Sequence, residues 1–485
     1  MCKENLRKLE SCRFRPYCAA CVVSLLQLMF GMCIGWMSPA TIGLESSPPQ
    51  IVDGDPLTTD QINWLSSVTF IGCIVGILFW GSVAEKIGRK NTLRLLALPV
   101  IMGWTLISLA KSVKLMYLGR FILGLSGVGA IVPIQLYLNE ISEPSYKGTL
   151  TSVMVFFFNG GIAISYILGA ILSLRNFTLV CNIIPFLYLA AFHFFPESPV
   201  YLYRKNKTKQ AEMFLLWFRN NNYMKVQEEL VYLEENMTYQ KNTNTTSLSS
   251  LYEGRARSYA LMINVWLFIV SQFCGILVML TYTSSIIKNS GTTLIEPDNG
   301  AVIVGIIQLI LSWMTTLILE KTSRKLLLML SMGGMFISQG LLGLYHLGDD
   351  THFFPNWLPV VCICLHVGCY TFGVGPVAYV ISAEITHPKI QPTAFSLFCF
   401  LGTAASFVSI KIYPYLIHYV GEHGCFWFYA TWCLVSMVLI PKFLPETRGK
   451  TFEQITELLG ENKDSYHQCV EVRYDVHSKQ IDPKV

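Results

Sequence analysis

The feature that most constrains this chain is a series of long stretches that contain almost no Asp, Glu, Lys or Arg. A stretch of about 18 or more apolar residues is long enough to cross the ~30 Å hydrocarbon layer of a bilayer. Backbone polar groups in lipid must be satisfied within their own segment, so such stretches form helices. The sequence therefore predicts an all-α membrane protein with twelve transmembrane helices. The predicted segments are 18–40, 61–84, 95–111, 115–138, 149–173, 177–195, 257–287, 299–319, 326–348, 358–383, 393–416 and 425–441.

Composition agrees with a membrane environment. The 485 residues are 52% hydrophobic and 14% charged, whereas soluble domains carry about 25% charged residues. The first segment is too long for a cleaved signal peptide, and eleven more follow it.

Basic residues in the short connections predict the orientation. Fourteen Lys and Arg fall in the tails and loops on one side, and six at most fall on the other. Since basic loops stay in the cytoplasm, both termini are predicted to be cytoplasmic. This asymmetry accounts for the net charge of +5 without a nucleic-acid partner.

Three short motifs recur in the same order. EKIGRK at 85–90 returns as EKTSRK at 320–325, EISEP at 140–144 as EITHP at 384–388, and PES at 196–198 as PET at 445–447. The offsets of 235, 244 and 249 residues indicate two six-helix halves related by a pseudo-twofold parallel repeat. The predicted domains are a cytoplasmic tail (1–17), an N-terminal bundle (18–195), a cytoplasmic linker with short helices (196–256), a C-terminal bundle (257–441) and a cytoplasmic tail (442–485).

The acids and bases of these motifs are predicted to form a conformational latch. Ion pairs between helix ends would hold the cytoplasmic side closed and would separate when it opens. The alternative is that Lys and Arg merely follow the topology rule, which leaves the accompanying glutamates unexplained. The latch residues are Glu85, Arg89, Glu140, Lys147, Glu197, Glu320, Arg324, Glu384, Glu446 and Arg448.

Several motifs resemble the sugar-porter branch of the major facilitator superfamily. GSVAEKIGRK is similar to its G-x-x-x-[DE]-[RK]-x-G-R-[RK] loop, YLGRFILGLSGVG to its fourth-helix signature, PESPVYL to PESPRxL, and LPETRGKTFEQI to PETKGxxxEEI. Within that branch, GWMSPA and KGTLTSVMVFFFNGG most resemble the facilitated trehalose transporters of insects. The resemblance implies the major facilitator fold, and transport of trehalose or a hexose across the plasma membrane by alternating access.

A sugar site needs amides, hydroxyls and aromatic faces within apolar helices. On a continuous seventh helix, Gln272, Gly275, Met279 and Tyr282 would share an arc of roughly 80°. The eighth helix carries a second stripe that includes Gln308, Ser312 and Thr315. The alternative is that these side chains only join neighbouring helices, at ~0.6 kcal/mol each. The predicted substrate contacts are Asn159, Gln272, Tyr282, Gln308, Tyr370, Thr371 and Tyr379.

The resemblance also implies roles at particular positions. Gln272, Gln308 and Tyr379 match a glutamine, an asparagine and a tryptophan of the family's seventh, eighth and tenth helices. This chain departs from the family pattern at several other positions, which are Gln135, Val155, Ser271, Leu277, Ser323, Gln391, and Gly402 with Thr403. The resemblance therefore implies that fewer polar groups line this cavity than in a typical glucose carrier.

The tenth segment is predicted to bend. Pro376 has no N–H for the Phe372 carbonyl, and Gly373 and Gly375 flank the same position. These residues form the predicted hinge. Asn176, in an N-x-T sequence at the outer side, is a weak glycosylation candidate.

Proton coupling needs a carboxylate within the membrane. The first segment contains none, and the resemblance places the acid of proton-coupled relatives near Met37. Arg120, which would partner such an acid, is predicted to reach outward, so passive uniport is favoured. Two alternatives remain open: a proton symporter that uses His366, and a sugar sensor that binds without transport, which the long charged tail at 442–485 would suit. A neutral His366 that donates to a carbonyl is the simpler interpretation.

The sequence favours no catalytic function. It contains no P-loop, HExxH or GxSxG motif, and its fifteen cysteines show no paired CxxC…CxxC spacing of the kind that binds a metal. We expect no cofactor, metal or catalytic residue; the expected partners are a small sugar and the lipid bilayer.

Overall fold

The structure is a computed structural model, which describes residues 2–51, 53, 55–143, 146–242, 255–292, 295–319, 321–347, 354–386, 390–450 and 452–459. All secondary structure in these ranges is helical. Eleven helices in the described ranges are long and apolar enough to cross a membrane. The prediction of an all-α membrane fold is confirmed, whereas the count of twelve spans and the orientation stay predictions.

The N-terminal half is built from nine α-helices. Thr58 begins the third with a capping box, in which Gln61 N–H donates to the Thr58 hydroxyl and the Gln61 amide oxygen accepts from the Thr58 N–H. Gly88, with φ of 101°, ends the same helix. The helices are α1 (Cys2–Gly35), α2 (Met37–Glu45), α3 (Thr59–Ile87), α4 (Arg89–Leu95), α5 (Ala97–Ser108), α6 (Val113–Ser126), α7 (Ile131–Ile141), α8 (Lys147–Ile171) and α9 (Leu174–Phe192).

Three helices follow in the predicted linker. Arg219, 3% exposed, ties this region to the N-terminal half by donating to the Ile141 carbonyl at 2.8 Å and pairing with Glu229 at 2.6 Å. The Arg15 guanidinium likewise donates to the Trp217 carbonyl at 2.8 Å. The linker helices are α10 (Pro199–Arg204), α11 (Thr208–Phe218) and α12 (Tyr223–Asn242).

The C-terminal half repeats the arrangement of the first. Its longest element has a non-helical residue, Gly421 with φ of 79° and ψ of 170°, at which two helices meet. The elements are α13 (Arg255–Phe273), α14 (Ile276–Thr281), α15 (Thr283–Asn289), α16 (Pro297–Ile318), α17 (Arg324–Leu347), α18 (Leu358–Phe372), α19 (Val374–Ile385), α20 (Gln391–Phe443) and α21 (Phe452–Leu458).

Glycines allow two close helix crossings in the N-terminal half. A Cβ at Gly31 of α1 would collide with the Phe158 carbonyl of α8, and one at Gly124 of α6 would collide with the Thr69 carbonyl of α3. Such small-residue contacts let backbones touch, which is how membrane helices gain van der Waals energy.

The two halves meet along two seams. At the first, α8 packs on α16, where Phe156 lies edge-to-face with Trp313 at 5.8 Å. At the second, α3 packs on α20, where the Asn63 amide donates to the Lys411 carbonyl at 3.0 Å. These seams determine which side chains can face a shared centre.

Candidate functional site

Glycines with a non-helical backbone interrupt three spans. The seventh breaks at Gly275, whose φ is 84°, whereas Trp36, at the matching place in the first span, keeps a helical φ and ψ. The fourth breaks at Gly127 and the tenth at Gly373. Interrupted helices in corresponding positions of two repeats are the best backbone indication of a transporter's substrate site.

The tenth-helix break lies at the first residue of the predicted hinge. Gly373 has φ of −128° and ψ of −81°. The Ser331 hydroxyl bridges the interruption, because it donates to the Cys369 carbonyl at 2.7 Å and accepts from the Val374 N–H at 3.2 Å. Pro376 lies inside α19, one turn beyond the break. Whether Gly373, Gly375 and Pro376 act as a hinge stays a prediction.

The single stripe predicted for the seventh helix is wrong. Gly275 adopts a left-handed conformation, so α13 ends at Phe273 and α14 begins at Ile276. The rotation of 100° per residue is interrupted at Gly275, so Met279 and Tyr282 do not continue the helical face of Gln272.

Gln272 lies at the centre of a polar cluster in the C-terminal half. Its amide oxygen accepts from the Ser406 hydroxyl at 2.9 Å, and its amide nitrogen donates to the Ser271 hydroxyl at 2.9 Å. Tyr370 of α18 lies beside this side chain. Ser409 donates to the Gln272 carbonyl at 3.3 Å. The cluster joins α13, α18 and α20, and its Gln272 side chain is only partly buried.

Sequence reasoning missed Ser406 and Ser409. The signal was present, because Gly402, Ser406, Ser409 and Tyr413 recur at intervals of four, three and four residues, which is one helical face.

Asn159 and Gln308 bind each other across the first seam. The Gln308 amide nitrogen donates to the Asn159 oxygen at 3.0 Å, and the Asn159 nitrogen donates to the Ser312 hydroxyl at 2.9 Å. All three side chains are at least 95% buried. The Gln308 amide oxygen, Oε1, is buried and has no hydrogen-bond partner in the described ranges. The pair thus joins the halves and keeps one unused acceptor.

Tyr282 and Thr371 are satisfied by protein groups. The Tyr282 hydroxyl donates to the Ser66 hydroxyl at 3.2 Å across the halves, and its ring stacks on Tyr413 at 4.8 Å. The Thr371 hydroxyl donates to the Val367 carbonyl within its own helix at 2.8 Å.

Tyr379 is placed differently from the other predicted contacts. Its ring lies 5.2 Å from Phe268 of α13 and 6.0 Å from Phe395 of α20, and the residue is 38% exposed. It therefore presents an accessible aromatic edge on the side of the tenth-helix break that leads to Glu384.

The N-terminal latch residues converge at the end of α7. The Arg89 guanidinium, 1% exposed, donates to both Glu140 oxygens at 2.9–3.2 Å. The Ser198 hydroxyl donates to the same carboxylate. Glu197 accepts from the backbone N–H groups of Lys90 and Ser198, each at 2.9 Å. Burial raises the pKa of Glu197, and these hydrogen bonds oppose the shift.

The C-terminal half contains the same cluster in the same order. Arg324 pairs with Glu384 at 3.2 Å, and the Thr447 hydroxyl donates to Glu384 at 2.5 Å. Glu446 accepts from the Arg324 N–H at 3.1 Å and from the Ser323 hydroxyl. Burial alone would raise the pKa of Glu446, but donation by Ser323 and by backbone N–H groups outweighs it and lowers the pKa.

The structure leaves four predicted latch residues outside these clusters. Glu85 is 64% exposed and lies 4.0 Å from Arg89. The Arg448 side chain is exposed, although its N–H donates to Glu446 at 3.1 Å. Glu320 lies outside the described residues, as does the side chain of Lys147.

Two further predictions concern single residues. Asn176 is exposed in the first turn of α9, as a glycosylation acceptor must be. His366 is fully buried, and its Nδ1 lies 3.4 Å from the Ser338 hydroxyl.

The prediction that Arg120 reaches outward is wrong. Arg120 is 1% exposed. Its guanidinium donates to the Cys33 carbonyl at 2.6 Å and to the Leu65 carbonyl at 3.2 Å, with the Cys33 sulfur at 3.2 Å. It also lies 5.6 Å from the Trp36 ring centre. Cys33 and Trp36 of the first span, together with Leu65 of α3, supply this polar, aromatic niche.

A second group of contacts joins the halves at the end remote from the latch. Lys411 lies 3.7 Å from Asp60 and 3.8 Å from the ring centre of Trp64. The hydroxyls of Ser38 and Ser284 are 2.8 Å apart and link α2 to α15. We call these residues the outer contact; they hold the two halves together at that end.

Comparison with known proteins gives concordant results. The family model "Sugar (and other) transporter" matches residues 19–459. The facilitated trehalose transporter Tret1 of Apis mellifera ligustica is 30% identical over 442 residues, covering 90% of this chain and 86% of the relative. Tret1 of Bombyx mori is 28% identical over 441 residues, covering 90% and 85%.

A solved structure shares the fold. The inward-open xylose transporter XylE of E. coli aligns with a TM-score of 0.75 at 21% identity, covering 90% of this chain and 98% of that one. The partially occluded inward-open form aligns with a TM-score of 0.73, covering 90% and 99%. From the repeat of interrupted helices and the match over residues 19–459, the chain belongs to the sugar porter family of the major facilitator superfamily and is a multi-pass membrane sugar transporter.

Proposed function

We propose that this protein is a facilitative uniporter that carries trehalose or a hexose across the plasma membrane by alternating access. The observation that carries the proposal is the environment of Arg120. In the described ranges this buried cation contacts carbonyl oxygens, a thiol and an indole ring rather than a carboxylate. Proton coupling requires a membrane carboxylate that changes its charge during transport, but the residue in contact with Arg120 is Cys33, and the position that the resemblance gives to the acid of proton-coupled relatives is near Met37.

The trehalose relatives support the choice of substrate class. They are named as facilitated transporters of trehalose, and their similarity extends over 90% of this chain. We propose that the sugar contacts Gln272 and Tyr370 on one side and the Asn159–Gln308 pair on the other. An amide can exchange a protein partner for a sugar hydroxyl at little net cost, because both are neutral hydrogen bonds.

Alternating access requires that the two ends open in turn. The outer contact joins the two halves at one end, whereas each latch cluster at the other end joins segments of its own half. We propose that the outer contact separates when the sugar enters from outside, and that the latch clusters shift when the inner end opens.

Uptake into sealed proteoliposomes tests the proposal. Labelled trehalose, glucose and fructose are supplied separately, with and without an inward proton gradient. A uniporter brings the internal sugar concentration to the external value and leaves that endpoint unchanged by the gradient. Accumulation above the external concentration would establish the alternative, a proton symporter. XylE, which shares this fold, is a proton:xylose symporter.

Variants separate transport from mere binding. Gln272→Ala and Gln308→Ala should each reduce uptake at least several-fold, while Gln210→Ala, on an exposed linker position, serves as the matched control. Normal uptake by both site variants would refute the proposed contacts. Saturable sugar binding without uptake by the wild-type protein would instead favour the sensor.

A further inference from the structure

A basic corner lies where the end of α9 meets α4, and it consists of Lys90, Arg94 and His193. The Lys90 ammonium donates to the His193 carbonyl at 3.1 Å. The Arg94 guanidinium donates to the same carbonyl at 3.2 Å and lies 3.3 Å from the His193 Nδ1. Two cations therefore converge on one backbone oxygen.

The charge of this corner is incompletely neutralised. The nearby carboxylate, Glu197, accepts from the Lys90 backbone N–H rather than from its ammonium. The shared carbonyl belongs to the C-terminal end of α9, which carries only a fraction of a negative charge. Arg94 remains partly accessible and His193 is exposed.

An apolar surface runs from the basic corner along the outside of the α5–α9 pair. Its exposed side chains include Leu98 (48%) and Met102 (55%) on α5, and Phe186 (55%) and Leu187 (61%) on α9. Phe194, beside His193, is 82% exposed. This surface is what acyl chains contact in a bilayer.

The second half offers an internal comparison. Lys325 occupies the position of Lys90, 235 residues later, and donates to the Pro441 carbonyl at 2.7 Å. Met329 occupies the position of Arg94. Capping of a helix C-terminus by one basic residue is thus common to both halves, but the second cation is specific to the first. A general preference for basic residues at this end does not explain that difference.

We propose that the basic corner binds the phosphate of an anionic phospholipid, whose acyl chains lie along the α5–α9 surface. The phosphate bears the negative charge and acceptor oxygens that two adjacent cations recognise. The arrangement fits a membrane lipid because the cations and the apolar surface form one continuous face. The inference is independent of the transported sugar.

Native mass spectrometry of the full-length detergent-solubilised protein tests the inference with dioleoylphosphatidylglycerol as the probe. Wild-type protein should retain one lipid more tightly than Arg94→Gln, with the dissociation constant differing about fivefold, the effect of one cation near a lipid surface. Arg94→Lys should retain the lipid. Lys325→Gln, the matched change in the other half, should bind as wild type does.

Three results would overturn the inference. They are equal binding by wild type and Arg94→Gln, an equal loss in Lys325→Gln, and equal retention of dioleoylphosphatidylcholine. Displacement of the lipid by inorganic phosphate at the same concentration would assign the corner to a free anion instead. If Arg94→Gln does not fold, Met329→Arg decides the question: a second tightly held lipid supports the inference, and its absence refutes it.

Discussion

Replacing Lys411 by Met should weaken the outer contact and shift the protein toward its outward-open state. Lys411 is 17% exposed, with its ammonium 3.7 Å from Asp60 and 3.8 Å from the Trp64 ring centre. Met keeps most of the apolar stem but removes the charge, and the Asn63 bond to the Lys411 carbonyl at 3.0 Å survives because it uses the backbone.

The magnitude follows from two interactions. Asp60 is 63% exposed, so the ion pair is screened and contributes ~0.5 kcal/mol. The cation–π contact is less hydrated and contributes ~1 kcal/mol. Their sum of ~1.5 kcal/mol corresponds to about a tenfold change in the equilibrium between outward-closed and outward-open protein.

A buried reporter cysteine measures this shift. Ser38 is fully buried in the outer contact, so Ser38→Cys should react with an external, membrane-impermeant maleimide only when that end opens. We expect Lys411→Met to accelerate labelling about tenfold in the Ser38→Cys background. Asp60→Asn, which removes only the ion pair, should accelerate it about twofold. The parent chain with Ser38 intact corrects for native cysteines, and equal labelling rates with and without Lys411 would refute the reasoning.

Three further changes test other parts of the structure. Cys33→Asp places a carboxylate beside Arg120 and should make uptake depend on an inward proton gradient, whereas Cys33→Ser should leave it independent; gradient-insensitive uptake by both would count against the role assigned to this niche. Burial raises the pKa of Glu197, so the folded state binds its proton more tightly; the resulting stability is complete below the ordinary value of 4.5 and is lost as pH rises through the raised pKa. The melting temperature should therefore depend less steeply on pH in this window for Glu197→Gln than for wild type. An equal pH dependence in the two proteins would contradict the assignment. Gly124→Ala pushes a methyl group against the Thr69 carbonyl and should cost ~1–3 kcal/mol of stability, which a normal melting temperature would disprove.

The sequence predicts the helical membrane fold well because the relevant signals are long and redundant. Each segment contributes many apolar residues, and the three repeated motifs indicate the division into halves. The sequence predicts only that the acids and bases of these motifs pair with one another; the structure supplies the pairs, Arg89 with Glu140 and Arg324 with Glu384.

The sequence does not predict the local backbone at the centre. Gly275 looks like one small residue in an apolar helix, but its left-handed conformation interrupts the seventh span and redirects everything after it. Similarly, an arginine in a membrane segment is expected to reach the surface, whereas Arg120 is buried against the carbonyls of Cys33 and Leu65 and the indole of Trp36. Such niches depend on tertiary contacts that periodicity does not encode.

Individual substrate contacts are hard to predict for a related reason. Asn159 and Gln308 have the chemistry to bind a sugar, but the same chemistry lets them bind each other across the halves. A sequence shows which groups can form hydrogen bonds, while their partners depend on which helices approach.

The glycine crossings of the N-terminal half have a mechanical consequence. Where Gly31 meets Phe158 and Gly124 meets Thr69, the backbones touch directly, so neither pair has side chains between its helices that could deform under load. One helix of each pair, α8 or α3, also forms a seam with the other half. We therefore expect a rotation of α1 or α6 to be transmitted to the opposite half with little loss, and bending to occur at the glycines that interrupt other spans, Gly275 and Gly373.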